Sequence, residues 1–133
     1  MGLWGSTVTD QYTPYIVPQE NGHRCDVRRV TFSDDERNQV DILGHPTFEF
    51  SALHYSDDDL FQAAHTADLA PRAEVYLNID AKHRGLGTQQ CGPDTPERLR
   101  LLEQEYHFAY SMRVLTQAEA NAYSVPSARM HMD

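Results

Sequence analysis

The sequence contains few basic residues for its length. It has 11 Lys and Arg against 20 Asp and Glu, which gives a formal net charge of -9. No group of Lys and Arg reaches the density that phosphate backbones or anionic membranes require. We therefore expect neither nucleic acid nor a membrane as partner, and a neutral ligand such as a sugar fits the charge better.

Long apolar segments and paired cysteines are also missing. No apolar run approaches the roughly 20 residues of a membrane span, and the N-terminus lacks the basic and apolar regions of a signal peptide. Cys25 and Cys91 are far apart and belong to no CxxC pair. This usage is typical of free thiols in a reducing compartment, so we expect a cytoplasmic protein.

The seven histidines show no metal-binding spacing, since none belongs to an HxxxH or HExxH pattern. The spacing therefore predicts no metal ligand in this chain. His83 and Cys91 share one loop and could form a thiolate–imidazole pair. A nucleophile also needs an orienting third group and an oxyanion site, which the sequence does not indicate. Nor does it indicate the carboxyl pair, about 5–10 Å apart, of a glycosidase, and we expect no catalytic residue here.

Alternating apolar and polar residues predict an all-β fold. The 133 residues suffice for one domain with a hydrophobic core. Period-two alternation marks strands at residues 47–53, 74–79 and 106–115, with weaker candidates at 27–32 and 39–43. Tyr106, Phe108, Tyr110, Met112 and Val114 share one side of the longest run, which predicts a half-buried strand. Residues 98–102 are interpreted as its hairpin partner.

One short helix is predicted after residue 56. Ser56 at the N-cap and Asp59 at the third helical position form a variant of the capping box. The acids at 57–59 also suit the positive end of the helix dipole. A calcium or catalytic acid cluster is the alternative, but nothing downstream follows a calcium-loop pattern. Periodicity ends after residue 115, so residues 1–115 are interpreted as the domain and 116–133 as a flexible tail.

Residues 80–96 form a long loop between predicted strands. Gly85, Gly87 and Gly92 give backbone freedom, while Pro93 and Pro96 stiffen its exit. A loop of this length in a small domain is often functional. We therefore expect it to meet a ligand.

Three aromatic residues lie near the start of the chain, Trp4, Tyr12 and Tyr15. We expect them to pack against the sheet. The alternative is that they are exposed and stack on the apolar face of a sugar.

Several motifs in order resemble the last domain of the β-galactosidases of glycoside hydrolase family 2. They are YTPYIVPQENGHR at 12–24, YLNID at 76–80, GLG at 85–87, CGPDT at 91–95 and the strand at 106–115. The resemblance covers residues 2–115. It implies an antiparallel β-sandwich, here a partial one that lacks N-terminal strands of the family domain.

The resemblance also implies a division of labour. In some bacteria this domain is a separate small chain, and a larger chain carries the barrel, both catalytic glutamates, and the magnesium and sodium sites. No cofactor is then expected in this segment. One loop of the last domain reaches the rim of the active site, where an aromatic residue stacks on the sugar. The loop at 80–96 corresponds, and Cys91 takes the place of that aromatic.

The resemblance thus predicts substrate-binding residues on this loop: Cys91, Gln90, Gln89 and His83, with Gly87 and Thr88 shaping it. The expected function is the C-terminal or small-chain part of a β-galactosidase that hydrolyses terminal β-D-galactosides such as lactose by a retaining mechanism. Two alternatives stay open. One is a free-standing carbohydrate-binding module, which would expose Trp4, Tyr12 and Tyr15 on one face, and the other is a non-functional fragment.

Overall fold

The fold is described from a computed structural model. It covers residues 2–85, 94–122 and 129–131, the last three as backbone only. The strands are β1 Gly5–Thr7, β2 Arg24–Ser33, β3 Gln39–Leu53, β4 Tyr76–Asp80, β5 Tyr110–Leu115 and β6 Arg129–His131; the helices are α1 Asp57–Gln62 and α2 Gln117–Ala122. Short 3-10 turns lie at Thr9–Gln11, Thr66–Asp68 and Glu97–Leu99. No described helix is long and apolar enough to cross a membrane.

The long strand β3 organises the sheet. β2 pairs with it antiparallel along one edge. The other edge is shared, because residues 39–44 pair antiparallel with β5 and residues 49–53 pair antiparallel with β4. β6 lies between β1 and β2 and is parallel to both. The described residues therefore form one mainly antiparallel sheet, which confirms the predicted all-β fold.

Alternate residues of the central strands build the core on one face of the sheet. Val8, just before the first 3-10 turn, is fully buried in the same cluster. Three residues on or beside β4, predicted to share one side, pack against it: Val75, Leu77 and Ile79. The buried apolar strand residues of this cluster are Val30, Phe32, Ile42, Phe48, Phe50 and Ala52.

β5 continues this apolar face, but its side chains are not covered. Met112 lies opposite the fully buried Ile42, and Val114 opposite Val40, and directly opposed residues project from the same face of a sheet. Yet Met112 is 51% exposed and Val114 73%. The prediction that this strand is half-buried is therefore wrong, because no other residue that the structure describes covers the apolar side chains of β5.

Three further sequence expectations need correction. Residues 98–102 are not a hairpin strand: Glu97–Leu99 is a 3-10 turn, and β5 is shorter than the predicted strand and pairs with β3. The candidates at 39–43 and 47–53 are one continuous strand. There are two helices rather than one among the described residues, since α2 lies in the segment interpreted as a tail, as does β6. α2 contacts the preceding β5, whereas β6 pairs with the distant β1 and β2, and a period-two pattern reveals neither arrangement.

The predicted capping box of α1 is confirmed. Asp59 N donates to Ser56 Oγ at 3.1 Å, and Ser56 N donates to Asp59 Oδ2 at 2.9 Å. Arg72 adds two hydrogen bonds to the same carboxylate, at 2.6 and 2.8 Å. These bonds, above all those from Arg72, hold the pKa of Asp59 far below its usual range.

Candidate functional site

The two described ends of the loop at 80–96 are held together by hydrogen bonds to the backbone of Gly85 and Leu99. Gly85 N donates to Leu99 O at 2.8 Å. Thr95, which is only 3% exposed, donates its hydroxyl hydrogen to Gly85 O at 3.0 Å. We call this contact between residues 84–85, 94–95 and 99–100 the loop neck.

Charged groups reinforce the loop neck. Arg84 donates to Asp94 Oδ1 at 2.5 Å, and Arg100 lies 3.3 Å from Asp94 Oδ2. Arg100 also donates to Thr95 O at 2.5 Å. Asp94 is therefore held between two guanidinium groups, and its role is to close the loop.

Gly85 is required at the loop neck by close approach of the chain. A Cβ at this position would lie 2.8 Å from Leu99 Cβ and 3.2 Å from Thr95 Cγ2. The first distance is shorter than real contacts allow, so a larger residue would push the two ends apart. Close packing against Leu99 and Thr95 thus explains why a glycine is needed at position 85.

His83 is the one predicted substrate-binding residue that the structure describes. Its backbone N–H donates to Glu49 Oε2 at 2.7 Å. Its ring stacks on His23 with centroids 4.3 Å apart and planes tilted by 37°, and its Nε2 lies 3.8 Å from Glu20 Oε2. The described contacts of His83 therefore connect it to the sheet and to the segment before β2.

The other predicted loop residues lie outside the described residues. These are Gly87, Thr88, Gln89, Gln90 and Cys91. That Cys91 faces the sugar thus remains a prediction. The alternative in which His83 and Cys91 form a thiolate–imidazole pair also stays open.

A polar cluster at the base of the loop escaped the sequence analysis. Glu49 on β3 lies directly opposite Asp80 at the end of β4. His23 bridges them, with Nε2 2.8 Å from Glu49 Oε2 and Nδ1 4.0 Å from Asp80 Oδ2. We call Glu20, His23, Glu49, Asp80 and His83 the histidine cluster.

No local spacing could have revealed the histidine cluster. His23 and Glu49 are 26 residues apart in sequence. They meet only because β2 pairs with β3 in a register that places Arg24 opposite Phe50. The one available signal was His83 itself, three residues after the end of β4.

Cys25 adjoins this cluster at the start of β2. Burial, followed by the nearby Glu49 carboxylate, raises the pKa of the thiol. A raised pKa disfavours the thiolate, which is the form that attacks electrophiles and binds metals. The direction of this shift is the opposite of the one that activates a nucleophilic cysteine.

The shifted carboxyls are unsuited to general acid catalysis. Among the described residues, each carboxyl with a shifted pKa has it lowered, namely Asp59, Glu103 and Glu119. In each case hydrogen bonds to the ionised form are the cause. The acid of a glycosidase instead needs a raised pKa so that it carries a proton near neutral pH.

The aromatic residues near the start do not behave as one group. Trp4 is 79% exposed, so the expectation that it packs against the sheet is wrong. Tyr12 stacks against Tyr55 with centroids 5.1 Å apart, and its hydroxyl is buried. Tyr15 is 44% exposed. Because Tyr12 is partly enclosed, the three rings do not form the single open platform required of a sugar-binding module.

Fold and site together define an all-β domain with the architecture of a partial β-sandwich. One face of the sheet carries the core and continues into an exposed apolar strip on β5. The ends of the loop at 80–96 are joined at the loop neck. The sequence comparisons agree with this class. The family described as Beta galactosidase small chain matches residues 1–112.

Relatives named Beta-galactosidase match most of this chain. The protein of Staphylococcus xylosus is 34% identical over 110 residues, which are 83% of this chain and 11% of that protein. The protein of Vibrio cholerae serotype O1 is 35% identical over 116 residues, 86% of this chain and 10% of that one. The protein of Lactococcus lactis is 32% identical over 114 residues, 85% and 11% respectively.

The chain belongs to the β-galactosidase small-chain family. It spans about a tenth of the length of the relatives that it matches.

Proposed function

We propose that this chain is the C-terminal or small-chain part of a β-galactosidase and completes the sugar site of a larger part. The observation that carries the proposal is the family match over residues 1–112, in a chain whose match spans about a tenth of its relatives' length. The larger part would supply both catalytic glutamates and the magnesium and sodium sites. Terminal β-D-galactosides such as lactose would be hydrolysed by the retaining, double-displacement route.

The open strip on β5 supports a larger partner. Its apolar side chains continue the buried face of the sheet but remain exposed: Tyr110 by 42%, Met112 by 51% and Val114 by 73%. Contiguous exposed apolar surface is typical of a protein interface. A second layer of a sandwich packing on this strip would bury it and complete the domain.

The loop at 80–96 supports the contribution to the sugar site. Its neck fixes where the loop leaves the domain, through Asp94, Thr95 and Gly85. A loop held on a rigid sheet is the usual way in which a domain supplies residues to a binding site. We propose that Cys91 lines the leaving-group subsite, with Gln89, Gln90 and His83 beside it.

Catalysis by another part agrees with the acids of this chain. Its described carboxyls with shifted pKa values are stabilised in the ionised form. None of these three is therefore prepared to donate a proton to a leaving group at neutral pH.

Hydrolysis of a β-galactoside tests the proposal. The purified chain is assayed alone and mixed with a family β-galactosidase that lacks its last domain. We expect activity only in the mixture. Activity of the chain alone would place catalysis in this chain, while a mixture that associates but stays inactive would refute the completing role.

A further inference from the structure

We propose that Glu20, His23 and His83 form a binding site for a divalent transition-metal ion, with zinc as the best match. The inference goes beyond the completing role proposed above and does not depend on it. It also departs from the sequence analysis, which found no metal-binding spacing because the three residues come together only in the fold.

The three side chains are close enough to share one ion. One ligand atom from each lies within 4.8 Å of the other two, and His83 Nε2 is 3.8 Å from Glu20 Oε2. Zinc binds imidazole nitrogen and carboxylate oxygen at about 2.0–2.2 Å, so neighbouring ligand atoms around it are roughly 3.4 Å apart. Glu20, whose side chain is 43% exposed, has room to make this small adjustment.

His23 is prepared as a ligand by its partner Glu49. Nε2 of His23 lies 2.8 Å from Glu49 Oε2, so a neutral ring would donate its proton there. Nδ1 is then the nitrogen with a free lone pair, and it is buried without a hydrogen-bond partner among the described residues. A carboxylate that holds one imidazole nitrogen while the other binds metal is the usual arrangement around protein-bound zinc.

The surrounding charge favours a cation. Glu49 and Asp80 face each other across β3 and β4, and like charges in directly opposed positions are destabilising. Glu20 adds a third carboxylate near the two rings. Asp80 Oδ2 is also 4.0 Å from His23 Nδ1, which places a fourth potential ligand atom near the ion.

A second grouping, of His23, Cys25 and Glu49, is also compact within 4.8 Å. It suits a metal less well, because Glu49 already accepts hydrogen bonds from His23 and from the backbone of His83. The two groupings make opposite predictions for Cys25.

A bound ion would join two segments of the domain that are distant in sequence. Glu20 and His23 lie in the segment leading into β2, while His83 follows β4 at the start of the loop. The ion would thus fix the base of the loop independently of the loop neck. Since metal binds the folded chain, the midpoint of thermal unfolding should rise with zinc concentration.

The test uses the whole chain, purified without a histidine tag and stripped of metal. Zinc binding is measured by calorimetry and by the zinc retained after gel filtration, and thermal unfolding is followed with and without zinc. We expect one zinc per chain. His23→Gln and His83→Gln should each weaken binding by more than about 10-fold, the lower limit for loss of even an outer-shell partner.

Matched variants separate this site from its alternatives. His107→Gln removes an exposed histidine and should leave binding unchanged, as should Cys25→Ser. Cobalt in place of zinc should show no sulfur-to-metal charge-transfer band. Glu20→Gln and His83→Gln alter side chains that are 43% and 26% exposed, so they test the site even if His23→Gln disturbs folding.

Three results would overturn the proposal. They are the absence of zinc binding, unchanged binding in both His83→Gln and Glu20→Gln, and a loss of binding in Cys25→Ser together with a cobalt–thiolate band.

Discussion

At the residue scale, Glu103 connects the start of the loop at 80–96 to the segment before β5. Its Oε2 accepts a hydrogen bond from the Tyr106 hydroxyl at 2.7 Å, and its Oε1 lies 3.3 Å from Lys82 Nζ. These partners, Tyr106 first, lower the pKa of Glu103 to about 2. The same bond raises the pKa of Tyr106.

Replacing Tyr106 by Phe should raise the pKa of Glu103 toward its usual value. The ring is kept and only the donor is lost, so the change isolates the hydrogen bond. Because the folded pKa is lowered, the contribution of Glu103 to stability is present above the usual carboxyl pKa and is lost as the pH falls toward about 2. An NMR titration of the Glu103 carboxyl measures the shift. Lys82→Met should shift it less, and an unchanged pKa in Tyr106→Phe would show that the bond is not formed.

Cys91 is the residue on which the proposed sugar contact depends. An aromatic ring stacks on the apolar face of a sugar, whereas a thiol offers less surface. We therefore expect Cys91→Trp to lower the Michaelis constant and to tighten inhibitor binding in the assembled enzyme. Cys91→Ser, which adds no ring, should change neither constant by much. Equal constants for the Trp variant and the natural chain would argue against the placement of Cys91 at the subsite.

At the scale of single elements, α1 is short and depends on its cap. A helix of six residues has too few internal hydrogen bonds to be stable in isolation. Ser56 supplies one bond to its first turn, and Asp59 returns another. The cap therefore contributes a large part of what holds this helix.

Removing the cap should destabilise the chain measurably. Ser56→Ala deletes the acceptor for Asp59 N, and we expect the free energy of unfolding to fall by about 1 kcal/mol. Ser56→Asn keeps an acceptor at the same position and should remain close to the natural chain. Urea unfolding of the three proteins at equal pH measures the difference. If Ala and Asn behave alike, the side chain of Ser56 does not act as a cap.

The sequence predicted the elements that depend on local signals. The cap at Ser56 and Asp59 is a short-range pattern, and the structure has it as predicted. The alternation in β4 likewise points Leu77 and Ile79 to the core. Both depend only on neighbours within a few residues.

Features that depend on pairing between distant segments were not predictable. The strands predicted at 39–43 and 47–53 are one strand, because β3 continues through Gly44 and Pro46. A Cβ at Gly44 would lie 2.8 Å from Phe48 Cδ1. Only a residue without a Cβ therefore lets the Phe48 ring of the same strand approach this closely. The histidine cluster required the register of three strands, which no periodicity contains.

At the scale of the whole molecule, the sheet has more apolar face than the described chain covers. Residues on β3 that face the core are buried, while those opposite them on β5 are open. Complete burial of an apolar side chain of this size contributes about 1.5–3 kcal/mol of favourable free energy. The strip on β5 therefore offers a substantial driving force for association.

Charges placed on this strip should prevent association with the proposed larger part. Met112→Glu and Val114→Glu would each bury an unpaired charge of the same sign in the assembled state, which costs more than the lost apolar contact. We expect the double variant to keep its secondary structure and to lose complementation of a β-galactosidase lacking its last domain. Analytical ultracentrifugation of the mixture and circular dichroism of the chain alone measure the two effects.

Leu43 provides the matched control for this prediction. It is 42% exposed and follows the buried Ile42 in β3, so its side chain projects from the opposite face of the same sheet. Leu43→Lys removes a comparable exposed apolar group and should leave association intact. Loss of association in Leu43→Lys, with full association of the Met112 and Val114 double variant, would place the partner on the other face of the sheet.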